Sequence, residues 1–187
     1  AATEEEAYTM CAPVVDEIKR VLGDVVYGVD VPSLEQLVVD GLRQKGMTVA
    51  LAESCTGGLI ARRLTDIPGA SAVFGCGLVT YSNEMKTRLL GVSPETLEKY
   101  GAVSEQTAVE MARGARRVGG ADIGIGVTGI AGPDGGSEEK PVGLFYVAIS
   151  TERGERVIRR QRHRATRESV RRYASSCALD LIRRELL

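Results

Sequence analysis

Met47-Thr-Val-Ala-Leu-Ala-Glu-Ser-Cys-Thr-Gly-Gly58 is the stretch whose reading decides the fold. Met47–Ala52 is a short apolar run, the length and composition of a strand buried on both faces. It runs straight into a cluster of small polar residues and glycines. From Gly57 to Leu64 the apolar spacing is helical, and Pro68-Gly69 closes that segment. A buried strand that feeds a helix after a tight Gly turn is a βα unit.

The same alternation continues outward. Ser33-Leu-Glu-Gln36 has the spacing of a capping box, and Leu34, Leu37, Val38 and Leu42 form the inner stripe of a helix ended by Gly46. Ala72–Tyr81 reads as a second strand, with Gly75 and Gly77 marking a bulge or a close backbone approach. Helices are expected from Asn83 to Leu90, from Pro94 to Tyr100, and from the Ser104 cap to Val118. Asp122–Val127 is the third strand, and 128–141 is a Gly-rich loop. Val142–Ser150 and Arg156–Arg162 pair as a hairpin across Glu152-Arg-Gly154, and a last helix runs from Thr166 to Leu186. The expected class is α/β: a mostly parallel but mixed sheet with helices on both faces.

Residues 4–22 form a further amphipathic helix, which Pro13 should kink or restart and Gly23 should stop. With the extended piece 25–30 it cannot close a core, so it reads as an arm or the end of a preceding module. The chain begins AATEEE without a Met, which suits a piece of something longer.

Composition excludes several classes. The chain has 187 residues, 43% of them hydrophobic, with net charge -1; this argues against disorder. Only 4% are aromatic and there is no Trp, a poor basis for a base-stacking nucleic-acid surface. The four cysteines contain no C-x-x-C pair, and with neither a signal peptide nor a long apolar run the expected setting is the reducing cytoplasm. Charge is uneven: residues 1–30 carry seven acids against Lys19 and Arg20, whereas 151–187 carry eleven Arg against five acids. A basic tail of this kind is either a solvated face or a contact for an anionic partner.

Chemistry concentrates at strand ends. Ligands of open α/β sheets bind beyond the carboxyl ends of the strands, which puts Glu53-Ser-Cys-Thr-Gly-Gly58 at the expected site. Ser54 is a candidate nucleophile there, with the amides of Thr56, Gly57 and Gly58 near an oxyanion. Ser54 or Thr56 could equally serve only as the N-cap of the helix. Cys55 is a rival nucleophile if its thiol sits at a helix N-terminus, and otherwise a small buried hydrophobe. The base must come from few residues. His163 is the one histidine, nineteen Arg cannot act as bases, and of five Lys only Lys86 follows a strand end, in Tyr81-Ser-Asn-Glu-Met-Lys86. Tyr81 would face the same crevice. Thr128-Gly-Ile-Ala-Gly-Pro-Asp-Gly-Gly136 could cradle a phosphate, although it is not a Walker A loop. Arg164 and Arg167 could clamp that phosphate. Asp134, Glu138 and Glu139 read better as solvated acids than as a metal site.

Three strings together resemble the CinA C-terminal domain family: A-E-S-C-T-G-G (52–58), V-T-Y-S-N-E-M-K (79–86) and V-T-G-I-A-G-P-D-G-G (127–136). L-T-D-I-P-G-A-S (64–71), G-A-V-S-E (101–105) and K-P-V-G (140–143) match as well. The resemblance covers 33–187 and implies a three-layer α/β/α sandwich with a mixed sheet. It implies nicotinamide-nucleotide amidase activity, the deamidation of nicotinamide mononucleotide to nicotinate mononucleotide in pyridine nucleotide salvage. It maps the catalytic serine, tyrosine and lysine onto Ser54, Tyr81 and Lys86, and a substrate-loop threonine onto Thr128, followed by Gly129. The phosphate arginine is Arg167 or Arg164. No metal or cofactor is implied, and the expected assembly is a cytoplasmic homodimer with a small nucleotide as its partner. Residues 1–32 resemble the end of the small domain that precedes this one in longer CinA proteins. The other readings are a non-enzymatic competence or DNA-damage binding module, and a ligand-binding domain without turnover.

Overall fold

The computed structural model describes residues 1–187, which separate into two compact units, Ala1–Pro32 and Ser33–Leu187. The first is a single long helix, α1 (Glu4–Leu22), a 3-10 turn (Gly23–Val25) and a short tail. Thr3 caps α1 and three glutamates occupy its first turn, where the helix dipole favours them. The helix runs through Pro13 without the break expected from sequence; only one N–H is missing there. No residue of α1 is buried.

The second unit holds a five-stranded sheet of order β2-β1-β3-β4-β5. The strands are β1 (Val49–Glu53), β2 (Phe74–Val79), β3 (Ile123–Gly129), β4 (Leu144–Thr151) and β5 (Gly154–Gln161). β1 pairs in parallel with β2 and β3, while β4 is antiparallel to both β3 and β5. The sheet is therefore mixed, with β4 alone running against the other four. The helices are α2 (Leu34–Lys45), α3 (Leu59–Thr65), α4 (Asn83–Leu90), α5 (Pro94–Tyr100), α6 (Glu105–Gly119) and α7 (Arg167–Glu185).

β1 shows why the layers form. Val49 and Leu51 join a core with residues of α2, α3 and α7, whereas Ala50 and Ala52 join one with Leu90, Met111 and Ala115. A strand buried on both faces needs helices on both. β3 uses its alternation differently. Ile123, Ile125 and Val127 fill the larger core. A Cβ on Gly126 would lie 2.6 Å from Ala112 N, and one on Gly124 2.6 Å from Arg116 Cβ. Helix α6 thus rests directly on bare strand backbone. Of the ten glycines between Gly114 and Gly143, Gly119, Gly124 and Gly126 serve this helix-on-sheet contact, separate from the Gly-rich loop.

Serine and threonine caps start α2, α4, α5, α6 and α7. The capping box at Ser33 is half made. Ser33 Oγ accepts from Gln36 N, but the Gln36 side chain donates to Asp40 instead. No helix is long and apolar enough to cross a membrane.

Candidate active site

Strand β1 ends at Glu53, and the chain then makes a tight turn in which Gly57 N donates to Ser54 O at 3.1 Å. Gly57 and Gly58 both have positive φ, 60° and 90°, which suits glycine alone. The turn is pinned to its neighbours: Ser54 N donates to Val127 O, and Thr80 N to Glu53 O. Ser54 is therefore held at the junction of the carboxyl ends of β1, β2 and β3.

Lys86 reaches this point from the first turn of α4. It is 1% exposed, and its Nζ lies 3.3 Å from Ser54 Oγ, 2.9 Å from Thr80 O and 3.4 Å from Tyr81 O. No carboxylate pairs with it. Burial pulls its pKa below the usual lysine value, opposed in part by the nearby Cys55. A neutral amine has two hydrogens and one lone pair. Two carbonyls can take the hydrogens, which leaves the lone pair for the Ser54 hydroxyl. Sequence placed Ser54 and Lys86 at one site, and the structure brings them into contact.

Tyr81 occupies a different place from the one expected of a catalytic relay. Its backbone carbonyl faces Lys86, but its ring is 61% exposed and its hydroxyl accepts from Arg167 Nη2 at 2.9 Å. Because Lys86 meets Ser54 directly, no phenol is needed between them. Cys55 is 5% exposed, and burial pushes its thiol up to about 12. Its burial and raised pKa fit the packing role rather than that of a nucleophile. His163 is exposed beyond the end of β5.

The expected oxyanion amides need correction. Neither Ser54 nor Thr56 caps α3. Its first amides belong to Glu53, a residue singled out for no role from sequence. Glu53 is 1% exposed and accepts from Gly58 N (3.0 Å), Ile60 N (3.1 Å) and Ala61 N (2.9 Å). With Gly57 N already on Ser54 O, the amides left in the turn are those of Cys55 and Thr56. The detectable signal was an acid at the end of a fully buried strand, which must find partners inside.

Arg171, also missed, donates twice to Thr56 O, at 3.2 and 2.7 Å. One turn earlier on α7, Arg167 bridges Tyr81 Oη and Gly132 O, the latter at 2.9 Å. Neither arginine has a carboxylate partner. The two guanidiniums therefore join the Ser54 turn, Tyr81 and the Gly-rich loop from one helix face. Of the two arginines expected at a phosphate, Arg167 is at the site. Arg164 is exposed in a left-handed conformation (φ 49°), and none of the site's hydrogen bonds involves it.

Thr128 and Gly129, expected at the substrate, both make contacts within the scaffold. Thr128 is 1% exposed, and its hydroxyl donates to Ala102 O at 2.6 Å, tying β3 to the loop before α6. A Cβ on Gly129 would meet Leu144 O at 2.8 Å. The Thr56 and Thr80 hydroxyls are buried and unbonded within the protein. Asp134, Glu138 and Glu139 are exposed, and no three His, Cys, Asp or Glu side chains converge anywhere.

The profile of the CinA C-terminal domain matches residues 31–186. The chain belongs to that family. It is 57% identical over 188 residues to a CinA-like protein of Desulfovibrio desulfuricans, an alignment covering all of this chain and 44% of that protein. It is 50% identical over 187 residues to a CinA-like protein of Dictyoglomus thermophilum, covering 100% and 45%. The chain thus spans less than half the length of these curated relatives. Among solved structures, the competence/damage inducible protein CihA from Agrobacterium tumefaciens superposes with a TM-score of 0.74 at 42% identity, over 83% of this chain and 96% of that one. The competence damage-inducible protein A (ComA) from Klebsiella pneumoniae gives 0.79 at 35% identity, over 82% and 94%. In this CinA-family chain, the mixed sheet and both helical layers follow the fold of those proteins.

Proposed function

We propose that the domain hydrolyses the carboxamide of nicotinamide mononucleotide to nicotinate mononucleotide and ammonia by a Ser-Lys mechanism. The observation that carries this reading is the buried contact of 3.3 Å between Lys86 Nζ and Ser54 Oγ, made without any carboxylate to hold the lysine protonated. Ser-Lys pairs activate serine in several unrelated hydrolases. The choice of this amide comes from the motifs at 52–58, 79–86 and 127–136.

Lys86 takes the Ser54 proton as the Oγ–C bond forms at the carboxamide carbon. The amide of Cys55 stabilises the oxyanion, in the manner of the amide that follows a nucleophile in other α/β hydrolases. Collapse breaks the C–N bond, and Lys86 passes its proton to the departing nitrogen, which leaves as ammonia. Water then attacks the acyl ester with Lys86 again as base, releasing the acid and returning a proton to Ser54. The phosphate meets Arg167, which retains N–H donors beyond the two it spends on Gly132 and Tyr81.

Ammonia release from nicotinamide mononucleotide by wild type, Ser54→Ala and Lys86→Ala tests the proposal. Release by wild type alone is the expected result. A fully active Ser54→Ala would end the mechanism. Salt-sensitive DNA binding with no ammonia release would favour the binding-module reading.

A further inference from the structure

We infer that Glu53 is a positioning residue for Ser54: a resident carboxylate that holds the nucleophile's turn in register with its base and its oxyanion amide. The inference rests on the amidase reading above and extends it to a residue outside the reacting set.

Three observations carry it. Glu53 immediately precedes Ser54, yet its side chain turns away and accepts three amides, two on Oε2 and one on Oε1, from Gly58, Ile60 and Ala61. In open α/β folds the first amides after a strand commonly face an anionic ligand. Here the protein's own carboxylate occupies them, so these three amides are closed to a substrate. The main chain of Glu53 also connects nucleophile and base. Its carbonyl accepts from Thr80 N at 2.9 Å, and Thr80 O in turn accepts from Lys86 Nζ at 2.9 Å. A displacement of the Glu53 carboxylate would shift the Gly57-Gly58 end of the turn, and with it the direction of the Cys55 amide. A misplacement of about 1 Å is enough to cost on the order of 100-fold in rate.

Glu53→Gln isolates this role. Glutamine keeps the shape but has one acceptor oxygen. Its NH2 must then face either Ala61 N or the Gly58 and Ile60 pair, donor against donor. The measurements are kcat and KM for nicotinamide mononucleotide, the pH profile of kcat/KM, the thermal midpoint, and the rate at which a fluorophosphonate labels Ser54. The expected result is a kcat lower by about tenfold or more, a KM within about twofold, an unmoved acid limb because Lys86 is untouched, and a comparable drop in labelling rate. A variant with wild-type kcat and labelling overturns the inference. So does one in which kcat, KM and thermal midpoint all collapse together, since Glu53 would then be only structural. If wild type labels at Ser54 but releases no ammonia, the substrate reading fails while the labelling rates still decide the role of Glu53. If wild type neither labels nor turns over, both readings fall.

Discussion

Replacing Lys86 with methionine separates the base from the fold. Methionine fills a similar volume without a donor, so Thr80 O and Tyr81 O each lose a hydrogen bond. At about 0.5–1.5 kcal/mol net for each bond, the loss is roughly 1–3 kcal/mol. Against this stands the cost of burying an amine. Because burial lowers the folded-state pKa of Lys86, the unfolded chain binds more protons in the window between that value and the free-lysine value of ~10.4. Wild-type stability then rises with pH through that window, by up to about 1.36 kcal/mol per pH unit, and falls as pH drops through it. The buried Cys55 thiol acts oppositely above its unfolded value of ~8.5, but it is present in both proteins and cancels in their difference. Lys86→Met should therefore compare best with wild type at pH 7 and progressively worse towards pH 10. Over the same range it should lose about 10²–10⁴-fold in kcat, the usual worth of a general base. Urea unfolding at pH 7, 8.5 and 10, alongside ammonia release, reads both. A stability difference independent of pH, or a variant with more than about a tenth of wild-type turnover, would refute the argument that a buried amine with a lowered pKa is the base.

Three further outcomes follow from the same geometry. Alkylation of the native protein with iodoacetamide should modify exposed Cys11 quickly and leave Cys55 untouched until unfolding, read by peptide mass spectrometry; rapid loss of the Cys55 thiol would contradict its burial. Gly126→Ala sets a Cβ against Ala112 N and should destabilise the α6–β3 packing by about 1–3 kcal/mol, measured by thermal unfolding, whereas Gly120→Ala meets no neighbouring atom and suffers only its positive φ of 57°. Arg167→Ala should lower kcat/KM for nicotinamide mononucleotide by roughly 10–100-fold while leaving the phosphate-free riboside almost unchanged; equal losses on both would assign Arg167 to the Tyr81 and Gly132 contacts alone.

What could be read from sequence divides along physical lines. β1 and the helix after it were legible because a six-residue apolar run followed by two glycines admits few other structures. Ser54 and Lys86 were legible as a pair because topology alone delivers two successive strand ends to one crevice, and the scarcity of lysine and histidine left few bases. The chemistry of the turn was not legible. Which residue caps α3 depends on a side chain folding back from the strand, and local capping rules look at Ser54 and Thr56 first. Glu53 prevails because it is buried and needs donors, a requirement that appears only once the strand is enclosed. Arg171 lies 115 residues from Thr56 in sequence, and nothing in a run of Arg distinguishes the one that points inward. Nothing in sequence signalled that the Thr128 hydroxyl, at the end of a buried strand, donates to a backbone carbonyl, here Ala102 O. Asp122–Val127 was legible as a strand, but not that Gly124 and Gly126 in it let α6 approach.

The most direct test of the central claim is to trap the acyl-enzyme. Wild type mixed with nicotinamide mononucleotide, quenched in acid within a turnover and digested, should carry the acyl group of the nucleotide on the peptide that contains Ser54. Lys86→Met should accumulate little of it. An adduct on any other residue, or steady ammonia release with Ser54 never modified and still dispensable, would contradict a serine nucleophile activated by Lys86.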